Sequence, residues 1–105
     1  MASKDQLQRT LFKAVYTVLK DPKPPGQSDF LTLTVAKLKL EANSPTDWKT
    51  FWAEILTAQI DELVQSEHNR YIASFDHLWF QDGTRTMQDL VDHIYENQRE
   101  ITRTP

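Results

Sequence analysis

The chain contains no cysteine, which removes a disulfide framework, a thiolate zinc site and a cysteine nucleophile together. It has two glycines, Gly26 and Gly83, too few and too far apart for a phosphate-cradling glycine loop. No apolar run approaches the roughly 18–20 residues that span a bilayer. Met1–Asp5 leads into a polar helix start rather than the apolar stretch of a signal peptide. These absences set the expectation of a cytoplasmic protein with no membrane partner. An excess of basic charge is missing as well. Twelve Lys and Arg stand against fifteen Asp and Glu, for a formal net charge of −3, and the basic residues are scattered. Neutralised phosphates supply most nucleic-acid affinity, so no nucleic-acid partner is expected.

What is present is enough apolar residue, in 105 positions, for one domain that buries about 60–70% of its unfolded surface without a staple. Caps and periodicity predict an all-α fold, a single compact bundle of four to five helices over about 4–20, 29–42, 45–66, 70–80 and 86–100. The whole of 1–105 reads as one helical domain, with 1–3 and 102–105 frayed. Ser3 with Gln6 forms a capping-box pattern ahead of Leu7, Leu11, Val15, Val18 and Leu19. Phe12 and Tyr16 widen that stripe to about 200°. The prolines of Asp21–Gln27 stop the helix.

Residues 30–41 support two readings. Leu31, Leu33 and Val35 alternate with Thr32 and Thr34 as in a strand, whereas Leu31, Val35, Leu38 and Ala42 share one face of a helix that Ser28 would cap. The helix is favoured and the strand remains the alternative. Ser44-Pro45 with Asp47 then opens the plainest helix, where Trp48, Phe51, Trp52, Ile55, Leu56, Ile60, Leu63 and Val64 follow helical spacing over an arc of about 220°. Glu54, Thr57, Asp61 and Gln65 form its expected wet strip. Tyr71, Ile72, Phe75, Leu78 and Trp79 suggest a short helix ended by Gln81-Asp82-Gly83, and Thr86 with Asp89 caps the last one.

No catalytic constellation stands out. Asp76-His77 and Asp92-His93 are sequence neighbours, which point about 100° apart on a helix. Asp89 and His93 are four apart, but one carboxylate–imidazole pair does not complete a metal site. Asp82-Gly83-Thr84 lacks the alternating ligands of a calcium loop and reads as a turn. Asp61 and Glu62 read as a solvated face. No enzyme activity, metal or cofactor is expected.

Thr86-Met87-Gln88-Asp89-Leu90-Val91-Asp92-His93-Ile94 resembles the last helix of acyl carrier proteins. The resemblance covers about nine residues and implies a small acidic four-helix bundle bearing a phosphopantetheine arm. Carriers attach that arm to the serine of an Asp-Ser-Leu motif, which this chain does not contain, so the implied alternative is a carrier-like or small-ligand-binding bundle without an attachment serine.

The aromatic residues carry the functional expectation. Two helices with apolar arcs wider than half their circumference exceed what a small bundle encloses, and Trp and Tyr are favoured interface anchors. The expected function is therefore a non-catalytic helical module that binds a protein partner or forms a homodimer. Phe12, Tyr16, Lys49, Trp52 and Phe80, at arc edges and helix ends, are the candidate interface residues.

Overall fold

The computed structural model describes residues 2–19, 25–41 and 53–101. Within them lie α1 (Lys4–Leu19), α2 (Gln27–Thr32), α3 (Val35–Glu41), α4 (Ala53–His68), β1 (Arg70–Ile72), a 3-10 helix (His77–Gln81), α5 (Met87–Asn97) and β2 (Gln98–Glu100). The fold is the expected small helical bundle, with a short antiparallel ladder added. Among the described residues no helix is long and apolar enough to cross a membrane.

Helix α1 starts where its cap was legible. Gln6 N–H donates to Ser3 Oγ at 3.2 Å and Ser3 N–H donates to Gln6 Oε1 at 2.9 Å, satisfying two of the orphan donors of the first turn. Its buried positions, Leu7, Thr10, Leu11, Ala14, Val15 and Tyr16, repeat every three to four residues and pack on α4 and α5.

The segment after the prolines uses both of its signals. It is helical, but broken at Leu33–Thr34 rather than continuous over 29–42. Leu33 is extended (φ −66°, ψ 133°), and Thr34 makes an isolated antiparallel bridge with Thr86. Met87 N–H donates to Leu33 O at 2.9 Å and Val35 N–H donates to Arg85 O at 2.8 Å. The β-branched run at 32–35 thus supplies one rung of sheet, after which Thr34 Oγ1 accepts from Lys37 N–H at 3.2 Å and caps α3. Gly26, not Ser28, occupies the cap position of α2. Gly83 lies under α3 where a Cβ would meet that of Ala36 at 3.4 Å, and its carbonyl accepts from Ala36 N–H at 3.1 Å.

In α4 the buried side is Ala53, Leu56, Thr57, Ile60 and Val64, narrower than the arc expected for 45–66; residues 45–52 lie outside the described residues. Thr57 sits in the core rather than on a wet strip, its hydroxyl donating to Ala53 O at 2.7 Å. Ile55 leaves the core and is 40% exposed. Asn69, in the left-handed region at φ 54°, ends the helix.

The helix expected over 70–80 is reduced to the 3-10 helix at His77–Gln81. Residues 70–72 instead pair with 98–100, Arg70 opposite Glu100, Tyr71 opposite Arg99 and Ile72 opposite Gln98. Ser74 then turns the chain at φ 55°. Asp76 caps the 3-10 helix by accepting from Leu78 N–H at 2.9 Å. The same ladder shortens the last helix, which gives way to strand at Gln98 instead of reaching 100. At its start the capping box is complete: Asp89 N–H donates to Thr86 Oγ1 at 3.2 Å and Thr86 N–H donates to Asp89 Oδ2 at 2.9 Å.

Gln98 also fastens the N-terminal segment. Ala2 N–H donates to Gln98 Oε1 at 3.0 Å, and Gln98 Nε2 donates to Ala2 O at 2.8 Å. Both residues are buried. Residues 2 and 3 are therefore held by this clasp and by the α1 cap, contrary to the expected fraying of 1–3; Met1 and 102–105 lie outside the described residues.

Candidate interaction cleft

Helix α4 places Glu54, Thr57, Ala58 and Asp61 on one face by their three- and four-residue spacing. Across from this face runs Phe75-Asp76-His77, positioned by the Ser74 turn and the Asp76 cap. Between them is an open cleft of about 220 Å³. Ligand pockets for small molecules run to about 300–1,000 Å³ and enclose most of the ligand. This cleft is smaller and shallow, the size of one protruding side chain.

Its chemistry is one-sided. Glu54, Asp61 and Asp76 bring three carboxylates to a rim floored by Phe75, Ala58 and Thr57, with His77 beside them. No Lys or Arg stands among the described lining residues, and none of the three acids is in an ion pair with a described residue. Burial raises the Asp61 carboxyl above its ordinary range, because the charged form loses hydration with no cation in return. Two exposed apolar side chains follow directly in sequence: Ile55 after Glu54, and Leu78, 51% exposed, after His77. Consecutive Cα atoms are about 3.8 Å apart, so both backbones run beside the cleft, although neither side chain lines it.

Behind the cleft wall stands an aromatic group. Phe75 packs on Phe80 and on the His93 ring, each at 6.1 Å between centroids, and Trp79 packs on Phe80 at 5.2 Å. Arg85 lies over Trp79 at 5.0 Å and donates to Trp79 O at 3.0 Å. Residues 82–85 form the expected turn. Thr84 donates to Asp82 through hydroxyl and amide, which holds the Asp82 carboxyl below its usual range.

A second polar group joins α1 to the end of α4. The buried Thr10 hydroxyl has three neighbours: Gln6 O at 3.0 Å, Glu67 Oε1 at 2.9 Å and His68 Nε2 at 2.6 Å. A hydroxyl has one proton, and a carbonyl and a carboxylate can only accept. In the contact with His68 Nε2 the imidazole tautomer decides which group donates. Lys13 Nζ donates to Glu67 at 2.7 Å, the foremost reason that the Glu67 carboxyl lies below its usual range. These side chains bond one another and fasten two helices.

Of the residues expected at an interface, Phe12, Tyr16 and Phe80 are among the described residues. Phe12 is half-buried and stacks within 4.9 Å of Tyr16 and 5.2 Å of Phe30. Tyr16 and Phe80 are only 9% and 3% exposed, and both belong to the core. The cause at α1 is Phe30 of α2, which covers the edge of the α1 stripe. Lys49 and Trp52 lie outside the described residues. Asp89 and His93 do not form a pair: Asp89 is held in its cap, and His93 turns to Ser74 O at 3.1 Å. Among the described residues no three His, Asp or Glu gather as a metal would require. On α4, Thr57, taken from sequence as wet, and Ile55, taken as buried, lie on the other side, and Asp61 is partly rather than fully solvated.

Fold and surface together define a class: a small helical protein with a short two-stranded ladder and, among the described residues, a shallow acidic cleft. Comparison with protein-family models, with curated proteins and with solved structures finds no match to the chain. The carrier-like stretch Thr86–Ile94 spans the cap and first two turns of α5.

Proposed function

We propose that this chain is a non-catalytic, cytoplasmic protein-interaction module whose docking surface is the cleft between α4 and the 3-10 helix. Its occupant is a segment of a partner protein in which a Lys or Arg side chain is flanked by apolar residues. The cation enters between Glu54, Asp61 and Asp76, and the flanking residues cover Ile55 and Leu78. The observation that carries this reading is a cleft lined by Glu54, Asp61 and Asp76, none of them in an ion pair with a described residue, with the exposed Ile55 and Leu78 next to lining residues in sequence. A cation there would stabilise the ionised form of Asp61 that burial disfavours. The acidic surface argues against nucleic acid, and a cysteine-free chain suits the reducing cytoplasm.

A fluorescein-labelled peptide with one arginine between leucines tests it, with citrulline in place of arginine as the neutral control. The arginine peptide binds and the citrulline peptide does not. Asp61→Asn and Leu78→Glu each weaken binding by about tenfold, the loss of one charge-assisted contact or one apolar contact. Equal binding of both peptides, or of Asp61→Asn and the parent, overturns the reading. Sedimentation across concentration decides the homodimer: a dimer that Leu78→Glu dissociates gives this face to a second copy instead.

A further inference from the structure

We infer that Arg99 closes the outer edge of the two-stranded ladder against a further strand, in the first place the same strand of a second copy of the chain. The inference stands apart from the cleft. Ala73 N–H donates to Asn97 O at 2.9 Å, and Ile72 is paired with Gln98, Tyr71 with Arg99 and Arg70 with Glu100. In an antiparallel pair the backbone groups of successive residues point alternately toward the partner strand and away from it. Asn97 O and the backbone groups of Arg99 therefore face β1. The Gln98 carbonyl and the Glu100 amide and carbonyl face outward. Arg99 and Glu100 are exposed, and among the described residues none outside the ladder bonds to the Glu100 backbone.

A row of outward donors and acceptors is a template for another chain. A second copy of β2 meets it in an antiparallel register centred on Arg99. Gln98 then lies opposite Glu100 of the other copy, and its carbonyl accepts that residue's N–H. Two-fold symmetry repeats the bond, so each copy gives one donor and one acceptor.

Arg99 obstructs this register in two ways. Its Nη1 donates to Gln98 O at 2.9 Å, so the acceptor that a second copy needs is already taken by the chain's own side chain. The register also sets Arg99 directly opposite its counterpart, where Cβ atoms are about 4.5–5.5 Å apart and like charges repel. Centring the pair on Glu100 instead sets that carboxylate against its counterpart. The same Arg99 nitrogen, which carries two protons, donates to Glu96 O at 3.2 Å. That carbonyl is among the last four of α5, which have no partner inside the helix. The rival role is thus a helix cap, and a cap affects stability alone.

Sedimentation equilibrium of the full chain, from roughly micromolar to millimolar concentration, separates the two. Arg99→Ala and Arg99→Met are each expected to self-associate more tightly than the parent by roughly tenfold to a hundredfold, the worth of two net hydrogen bonds. Methionine keeps most of the arginine stem, so it distinguishes loss of the guanidinium from loss of packing. Glu100→Pro removes an outward N–H that is no rung of the ladder, and in combination with either variant it reverses the gain. Thermal unfolding is read alongside. Variants that lose stability without gaining association make Arg99 a helix cap only and overturn the inference. Association that Glu100→Pro leaves intact overturns it too, as does a parent dimer that Glu100→Pro dissociates. Failure of both Arg99 variants to fold makes the guanidinium a requirement of the fold and has the same consequence. Leu78→Glu, beside the cleft, is expected to leave the new association unchanged, which tells a dimer through β2 from one through that face.

Discussion

Replacing Gln98 by alanine removes both halves of the clasp on Ala2 and a third bond, from Gln98 Nε2 to Tyr95 O at 3.2 Å. The Ala2 amide and carbonyl remain where the fold buries them, and each buried polar group left unpaired costs about 1–3 kcal/mol. Ala2 lies ahead of α1 rather than within an element, so its backbone can shift toward water, and the lower part of that range applies. The expected loss is about 2 kcal/mol, a fall of roughly 8–16 °C in Tm for a domain of this size. Urea unfolding followed by circular dichroism measures it, with an unchanged slope showing that the same surface is exposed. Deleting residues 1–3 removes the other partner of the clasp together with the Ser3 cap. Combined with Gln98→Ala, that deletion is expected to cost less than the sum of the two, because the clasp is lost only once. A loss below about 0.5 kcal/mol for Gln98→Ala, within the range of ordinary surface changes, or strict additivity with the deletion, would refute the claim that these bonds hold the segment.

Thr86→Ala removes one side of the α5 capping box and is expected to cost about 1 kcal/mol by the same unfolding assay. Asp61→Asn gives a stability effect of the opposite sign. Burial raises the folded carboxyl above its unfolded value, so ionised Asp61 opposes folding above the folded value, and that penalty fades as pH falls through it. The variant is therefore expected to match or exceed the parent in stability near neutrality and to lose any advantage in acid. A variant less stable than the parent at neutral pH would show that Asp61 has a stabilising partner.

The parts of this fold legible in sequence are those whose causes lie within a turn. Ser3 with Gln6 and Thr86 with Asp89 form their caps across three residues, and both stand as expected. The missed parts depend on distant chain. Whether 30–41 is strand or helix turns on Arg85–Met87, some fifty residues later, which supply the partners that break it at Leu33–Thr34. Tyr71, Ile72, Phe75 and Leu78 carry helical spacing, but the edge offered by 98–100 takes residues 70–72 into a ladder. Tyr16 and Phe80 look like rim residues until Phe30 and the Phe75–Trp79–His93 group cover them. The cleft was hidden for the same reason: Asp61 and Asp76 sit on different elements, and spacing says nothing of the wall between them.

The Ala2–Gln98 clasp sets an order of events during synthesis. Residues 96 positions apart must meet to complete it, and Gln98 also opens β2. A nascent chain can wind α1 as soon as its cap has emerged, but Ala2 gains the Gln98 side chain only once residue 98 has been made. A chain that stops at Asn97 keeps the sequence of every described helix yet loses the clasp and the β1–β2 ladder in a single step. The last few described residues thus determine whether the first few are held at all.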